Sequence, residues 1–510
     1  MLTKNKLTLF LPLLLSFFLV CCMKEKGTYI HKEINEVEID TAGFVAQITV
    51  QLGQQLLLTP QLKQTQEQDE GNLEYVWYWY KFGFVQADTL GNTRDLKYTV
   101  PMGTSLGQYT TVFKVYDKKT GVFSKEIVNV NVTAAASEGV LVLSDLNGDA
   151  EVGIVNIARN YIGSLYYEAN GSHPGKNPVS IGFIKTNAVP YLNAVVIMCD
   201  DQEGGAITHH MDFVKTYDYK KFFFVQPEVI KPQRYYNGIT GLDARYDFII
   251  NNNQLHVREY RNAQRTEEKT FFKPALPPLD IKVSESAIVN GTSLLFYDNT
   301  NYKFMMVGVA SLQFLSKSFI PVFVGTQDPA TMPFNPDNVG LELIHMAPGW
   351  KNYGYGIFKD PQTNKLFQLS FSISSLAFST PFSSYYKRPI NNAPGIEEAT
   401  DYAYSIRDPY IFYSKENILY KYDIEFDQSQ PIYNLDTVIS GSQIDKLYMR
   451  YYAGQTTYSG KLYVASSEKG MKGKNGSISV LNIDRSGTVE RIDSVYRNVS
   501  GRVVSMDYKF

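Results

Sequence analysis

Hydrophobic and polar residues alternate with a period of two through much of the N-terminal quarter of the chain. In "LEYVWYWYKF", Trp77 and Trp79 fall on one side and Tyr78 and Tyr80 on the other. This predicts a strand whose tryptophan row fills a core between two sheets. "LGQYTTVFKVYDKKTGVFSKEIVNVNV" reads as two more alternating runs, joined by a turn from Asp117 to Gly121 in which the glycine can take a positive φ. Gly107-Gln108-Tyr109, just ahead of the first run, has the form of a tyrosine corner, whose hydroxyl bonds back to the preceding loop. Residues 22–133 are therefore expected to form a β-sandwich. The stretch after it, residues 134–139, is small and polar with no periodicity, and is expected to be a linker.

From residue 140 to residue 510 the pattern changes to short apolar runs separated by turn signals, without a convincing amphipathic helix. "YDFIINNNQLHVREY" predicts strand, asparagine turn, strand; "SAIVNGTSLLFYDNTNYKFMMV" predicts three strands across two turns. "YGIFKDPQTNKLFQLSF", "YIFYSKENILYKYDI" and "KLYVASSEKGMKGKNGSISVLNI" repeat the scheme. Within these meanders a polar turn followed by Leu and usually an aromatic recurs, at Leu255-His256, Leu295-Phe296, Leu366-Phe367, Leu419-Tyr420 and Leu462-Tyr463, about 40 to 70 residues apart. Four-stranded propeller blades repeat at roughly 40 to 50 residues, so residues 140–510 are expected to form a β-propeller of about seven blades. Such a ring also hides the strand edges that so many antiparallel strands would otherwise expose. Two stacked sandwiches with similar hairpins are the alternative.

Composition supports an all-β chain. Tyr (37) and Phe (30) dominate over Trp (3), and such rings favour pleated, half-buried surfaces. The net charge of −2 gives no basic surplus for nucleic acid. At the N-terminus, Lys4 and Lys6 precede an apolar run from Leu7 to Val20. That run is too short for the ~20 residues that span a bilayer, and matches the apolar centre of an export signal. It ends at Cys21-Cys22. Leu19 stands three residues before Cys22, the spacing at which lipoprotein signals are cleaved ahead of an acylated cysteine. Residues 1–21 are expected to be a lipoprotein signal peptide and Cys22 the lipid-bearing N-terminus, held in a membrane by its acyl chains. A secreted protein with two accidental cysteines is the alternative. Beyond the signal only Cys22 and Cys199 carry thiols, so an internal disulfide is not expected.

Several of these stretches together resemble a known family. The start "KEKGTYIHKEINEVEI", the strand "YVWYWY", "GQYTTVFKVYDKKTGV" and "SEGVLVLSD" look like the PKD-like surface lipoproteins of Bacteroidota, most specifically over residues 22–145. The resemblance implies an Ig/PKD-like sandwich carried on the outer membrane, facing the cell exterior. It also implies an accessory role beside a SusC/SusD-type TonB-dependent uptake system, with oligopeptides or glycans as cargo. Two positions depart from the family: Val140 stands where Trp is frequent, and Glu25 is the one acid directly after the lipid cysteine.

Candidate chemistry is sparse. Gly103-Thr104-Ser105-Leu106-Gly107 has the G-x-S-x-G spacing of a nucleophile elbow but lies in a sandwich loop followed by a strand, so a loop is expected. Asp145, Asn147, Asp149 and Glu151 alternate as calcium-loop oxygens do. The loop lacks the glycine and the closing glutamate in their places, and a hairpin turn is expected instead of a calcium site. His209, His210 and Asp212 form the densest metal-capable group, but adjacent histidines on a strand face opposite ways and no metal site is expected. Lys469, Lys472 and Lys474 read as a solvated hairpin tip. The loop "HMAPGWKNYGYG" offers Trp350, Tyr353 and Tyr355 as rings on which a ligand could stack; packing of those rings between blades is the alternative. The resulting expectation is a non-enzymatic, lipid-anchored binding protein without a cofactor. A propeller-type glycan hydrolase and a purely structural transporter subunit are the alternatives.

Overall fold

The computed structural model describes residues 34–40, 47–66, 70–101, 104–185, 193–237, 244–261, 271–276, 279–290, 293–307, 320–321, 328–373, 382–450 and 460–509. The signal segment and Cys22 lie outside the described residues. The chain divides into two compact units, Met1–Thr133 and Ala134–Phe510.

In the first unit a five-stranded sheet runs in the order Gln47–Gln51, Phe123–Thr133, Gly107–Asp117, Leu73–Lys81, Asp88–Gly91. The first pair is parallel and the rest antiparallel. Two short antiparallel pairs cover it, Val37–Asp40 with Gln61–Gln64 and Gln55–Leu58 with Leu96–Thr99. Burial follows the period-two pattern. Trp77 and Trp79 are 0% and 2% exposed, while Tyr78 and Tyr80 on the other face stay half-buried. Trp77 stacks on Phe113 at 4.3 Å between centroids and Trp79 tilts against Tyr109 at 4.4 Å. The tyrosine corner is present: the Tyr109 hydroxyl donates to the Ser105 carbonyl at 2.8 Å. Gly121 takes φ +72° in the expected turn and donates its amide to the Asp117 carbonyl.

Among the described residues, the second unit is a succession of seven antiparallel sheets, called A to G here. Sheet A contains Tyr161–Ile162, Asp149–Asn156, Gly139–Leu146 and, on its far side, Arg502–Lys509. Sheets B to G follow in chain order, beginning at Pro178–Ile184, Pro232–Asn237, Ile288–Asn290, Glu342–Pro348, Tyr402–Tyr404 and Ser442–Met449. Among the described residues, sheets B to G are simple meanders, of three strands in sheet C and four in the others, while sheet A joins a three-stranded meander to the C-terminal strand. Asparagine turns make the hairpins: Asn147 and Gly148 join two strands of sheet A, and Asn252 and Asn253 join two of sheet C, all at positive φ.

Why these strands are apolar runs, without alternation, follows from their packing. Each middle strand is buried on both faces, so successive residues belong to different interfaces. Val140 and Val142 of sheet A pack on Ala465 and Ile478 of sheet G, while Leu141 and Leu143 pack on Ile181 and Ile197 of sheet B. The same division repeats: Leu294 and Phe296 of sheet D face sheet C, and Leu295 and Tyr297 face sheet E. Apolar seams thus join A to B, B to C, C to D, D to E, E to F, F to G and G back to A. Outer strands such as Lys215–Asp218 are mostly exposed and accordingly polar.

Two sequence expectations need correction. Residues 134–139 are no free linker: Ala134 and Ala136 are 8% and 6% exposed, Ala136 joins the A–B seam, and the Ala135 carbonyl accepts from Asn156 Nδ2 at 3.0 Å. Small side chains there reflect close packing. The Leu-aromatic signature also fails to mark one position of a repeat. Leu295 and Leu462 lie on second strands, whereas Leu255, Leu366 and Leu419 lie on third strands, because any strand leaving a tight turn can carry that pair.

Candidate functional site

The first strands of sheets B, C, E, F and G, the C-terminal strand of sheet A and the segment just ahead of sheet D border one cavity of about 350 Å³. Six sheets reach it, through Ser505 from A, Val179 from B, Arg234 from C, His345 from E, Tyr402 from F and Lys446 from G, and Glu285 enters from the segment just ahead of D. Five of these strands carry a β-bulge where they approach it. One extra residue interrupts the pairing at Val504, Val179, Gln233, Ile344 and Asp445. A bulge twists the strand and re-aims the next side chains. Arg234, His345 and Lys446 each follow such an insertion directly.

His345 is the aromatic centre of the cavity wall. Its imidazole stacks with Tyr402 at 4.9 Å and Tyr404 at 5.4 Å, and its Nδ1 lies 3.3 Å from the Tyr404 hydroxyl. Burial, helped by the positive charges of Arg234 and Lys446, pushes its pKa down to about 3, so the ring is neutral at physiological pH. Asp401 accepts the Leu447 amide at 2.9 Å and lies 3.7 Å from Lys446 Nζ. Burial raises its pKa against the opposing pull of Lys446. Asp507, next to the lining residue Met506, is pushed up to about 6 by burial, although the amides of Phe183 and Tyr508 both donate to it at 2.8 Å. Arg234 and Glu285 remain exposed at the cavity. The arrangement presents cation, anion, neutral imidazole and phenol around one hollow, a set suited to a ligand with several hydrogen-bonding groups.

None of these lining residues was singled out by spacing or motif. His345 does stand at the head of the "HMAPGWKNYGYG" stretch, but the three rings chosen there fare differently. Tyr355 is 2% exposed within the E–F seam, its hydroxyl donating to the Trp350 carbonyl at 3.1 Å, so it cannot stack on a ligand. Trp350 is half-buried against the same seam with Lys351 Nζ 3.8 Å from its ring centroid. Tyr353 packs on Tyr385 at 4.3 Å. These rings are held by the protein's own packing.

The remaining motif residues also have local roles. Asp145 Oδ1 accepts the Gly148 amide at 2.6 Å, Asn147 Oδ1 accepts the Gly473 amide at 2.8 Å, and Asp149 pairs with Lys176 at 2.7 Å, which makes the stretch a hairpin turn. His209 pairs with Asp212 at 3.0 Å, while His210 points toward Phe183 and is held near pKa 3 by burial and Lys509. Among the described residues, no three His, Cys, Asp or Glu side chains gather as a metal site. Ser105 serves the tyrosine corner through its carbonyl. Gly103 lies outside the described residues. Lys469, Lys472 and Lys474 sit on the tip between Lys461–Glu468 and Gly476–Ile483, with Lys474 3.6 Å from Glu151. Cys199 is a buried free thiol in the A–B seam, and burial raises its pKa.

Residues 22–178 match the model of the PKD-like family, a span that covers the sandwich and the N-terminal strands of sheet A. Solved structures give slighter likenesses. A quinoprotein alcohol dehydrogenase-like protein from Bacteroides thetaiotaomicron is 12% identical, covering 92% of this chain and 100% of that one, with a TM-score of 0.39. The extracellular domain of a protein described as a hybrid two component system, from the same organism, is 12% identical over 64% of this chain and 34% of that one, with a TM-score of 0.33. Scores of this size say nothing about what this chain does. No curated protein matches it.

Proposed function

We propose that the chain is a lipid-anchored, non-enzymatic binding protein of the outer membrane, tethered through Cys22. In this reading it works as an accessory to a SusC/SusD-type uptake system for oligopeptides or glycans. Its second unit is a closed propeller of seven blades that meets cargo at the axial cavity. The observation that carries the reading is the convergence of six sheets, and of the segment leading into the remaining one, on one cavity lined by Arg234, His345, Asp401, Tyr402 and Lys446. The cycle of apolar seams and the shared sheet of the first and last strands support the ring. The PKD-like match over residues 22–178 supports the family resemblance, and with it the surface and transporter assignment.

The test combines co-purification of the full chain from membranes with titration of mixed oligopeptides and oligosaccharides. Recovery of a SusC/SusD-like pair together with cargo affinity that falls about tenfold in Lys446→Gln or His345→Ala is the expected result. Recovery of the pair with no affinity for either cargo class makes the protein a structural subunit, and recovery of no partner removes the transporter assignment. A hydrolase is the second reading, favoured by the raised pKa values of Asp401 and Asp507 near the axis. Release of product from a bound glycan or peptide, abolished in Asp401→Asn, would establish it.

A further inference from the structure

A second hollow, of about 290 Å³, opens where sheet G packs against sheet A; it has no lining residue in common with the first cavity and shares with it the strand Arg502–Lys509. Its walls combine cations with phenol rings. The Arg450 guanidinium lies 3.7 Å from the centroid of the Tyr508 ring, and the Tyr508 hydroxyl donates to Glu138 at 2.6 Å. Glu138 thus fixes the ring on which Arg450 rests at the cavity wall. Lys461 is held in the same way by Asp493, whose other oxygen takes Arg491 at 2.7 Å. Asp493 is therefore matched by two cations, and its charge does not cancel the rest.

The third cation, Arg159, arrives on a strained turn. Its φ of +62° lies in the left-handed region that a long side chain rarely adopts. The Tyr496 hydroxyl secures that turn by donating to the Arg159 carbonyl at 2.6 Å. Arg159 itself is exposed at the cavity beside Ile157, which is 65% exposed. Among the described lining residues three cations stand against two acids, one of which is already doubly paired, a positive surplus. Tyr463, Tyr496 and Tyr508 supply ring faces around it.

We infer that this seam cavity is a binding site for a small carboxylate ligand that also carries a flat ring face. The cations would take the carboxylate, with an arginine able to do so through two parallel N–H donors, and a tyrosine face would cover the ring. The volume suits one sugar or one aromatic ring better than an extended chain. An acidic sugar and an aromatic acid share this chemistry.

The experiment titrates the full chain with D-glucuronate and with 4-hydroxyphenylacetate by calorimetry, using D-glucose and inorganic phosphate as controls. Binding of at least one carboxylate, at least about tenfold tighter than glucose and phosphate, is expected. The stronger of the two identifies the source. Arg450→Gln should weaken it about tenfold with an unchanged melting temperature. Arg159→Gln, which keeps the strained turn and alters an exposed side chain, should do the same if Arg450→Gln proves unstable. The inference is overturned if neither carboxylate binds, if phosphate binds as tightly, or if both arginine variants keep full affinity. It is also overturned if Lys446→Gln abolishes binding while the arginine variants do not, since the ligand then occupies the axial cavity.

Discussion

The ammonium of Lys509 donates to the carbonyl of Ala136, 373 residues earlier in the chain. Lys509 has no exposed surface, and its Nζ lies 5.3 Å from the centre of the Phe213 ring. The last strand of the second unit is thereby bonded to the segment on which that unit begins. The neighbouring pairs Val140 with Tyr508 and Val142 with Met506 continue the same join.

That lysine makes stability depend on pH. Burial pushes its pKa down to about 7, with Asp212 resisting. In the unfolded chain it titrates near 10.4, so between those values the unfolded state binds the extra proton. Stability contributed by this group therefore rises as pH climbs from about 7 and is lowest, and flat, below that. His210, which faces Lys509, titrates near 3 and stays neutral across this range. Thermal unfolding should gain roughly 2 kcal/mol between pH 7 and pH 9 in the wild type, and Lys509→Met should lose that gain. A pH slope identical in the variant would contradict the assignment.

Removing the join should matter more than any single contact within it. A chain lacking residues 502–510 exposes the edge of Gly139–Leu146 and takes Val503 and Met506 out of the G–A seam. Scanning calorimetry should show the unfolding transition of the second unit lowered or lost, with aggregation. An unchanged transition would mean that the other six seams suffice.

In the first unit two substitutions separate packing from a hydrogen bond. Trp77→Ala empties a wholly buried site against Phe113 and should cost about 3 to 5 kcal/mol. Tyr109→Phe keeps the ring beside Trp79 and removes only the bond to Ser105, for about 1 kcal/mol. Urea unfolding measures both, and a Phe variant as damaging as the Ala variant would refute this division.

What could be read in advance follows from how local each determinant is. The sandwich strands were legible because one face is buried and the other is not, which prints Trp77 and Trp79 directly into the sequence as an alternation. Hairpins were legible because Asn147-Gly148 and Asn252-Asn253 need positive φ, which those residue types tolerate. The seams were not, since strands such as Ser293–Asp298 are buried on both faces and their apolar runs do not reveal which neighbour each residue meets. The candidate cavity was illegible for a further reason. Arg234, His345 and Lys446 come from three sheets and are aimed by bulges after Pro232, Leu343 and Ile444, and a bulge leaves no residue-type signature. In the aromatic loop, Tyr355 looks the same in a sequence whether its ring faces a ligand or, as here, the E–F seam.

The proposed tether at Cys22 is tested most directly by labelling. Cells expressing the protein should incorporate radiolabelled palmitate into it and retain it in the membrane fraction, and Cys22→Ala should lose both. Equal labelling and equal membrane retention in the variant would contradict a lipid anchor at Cys22 and remove the ground for placing the protein beside an outer-membrane importer.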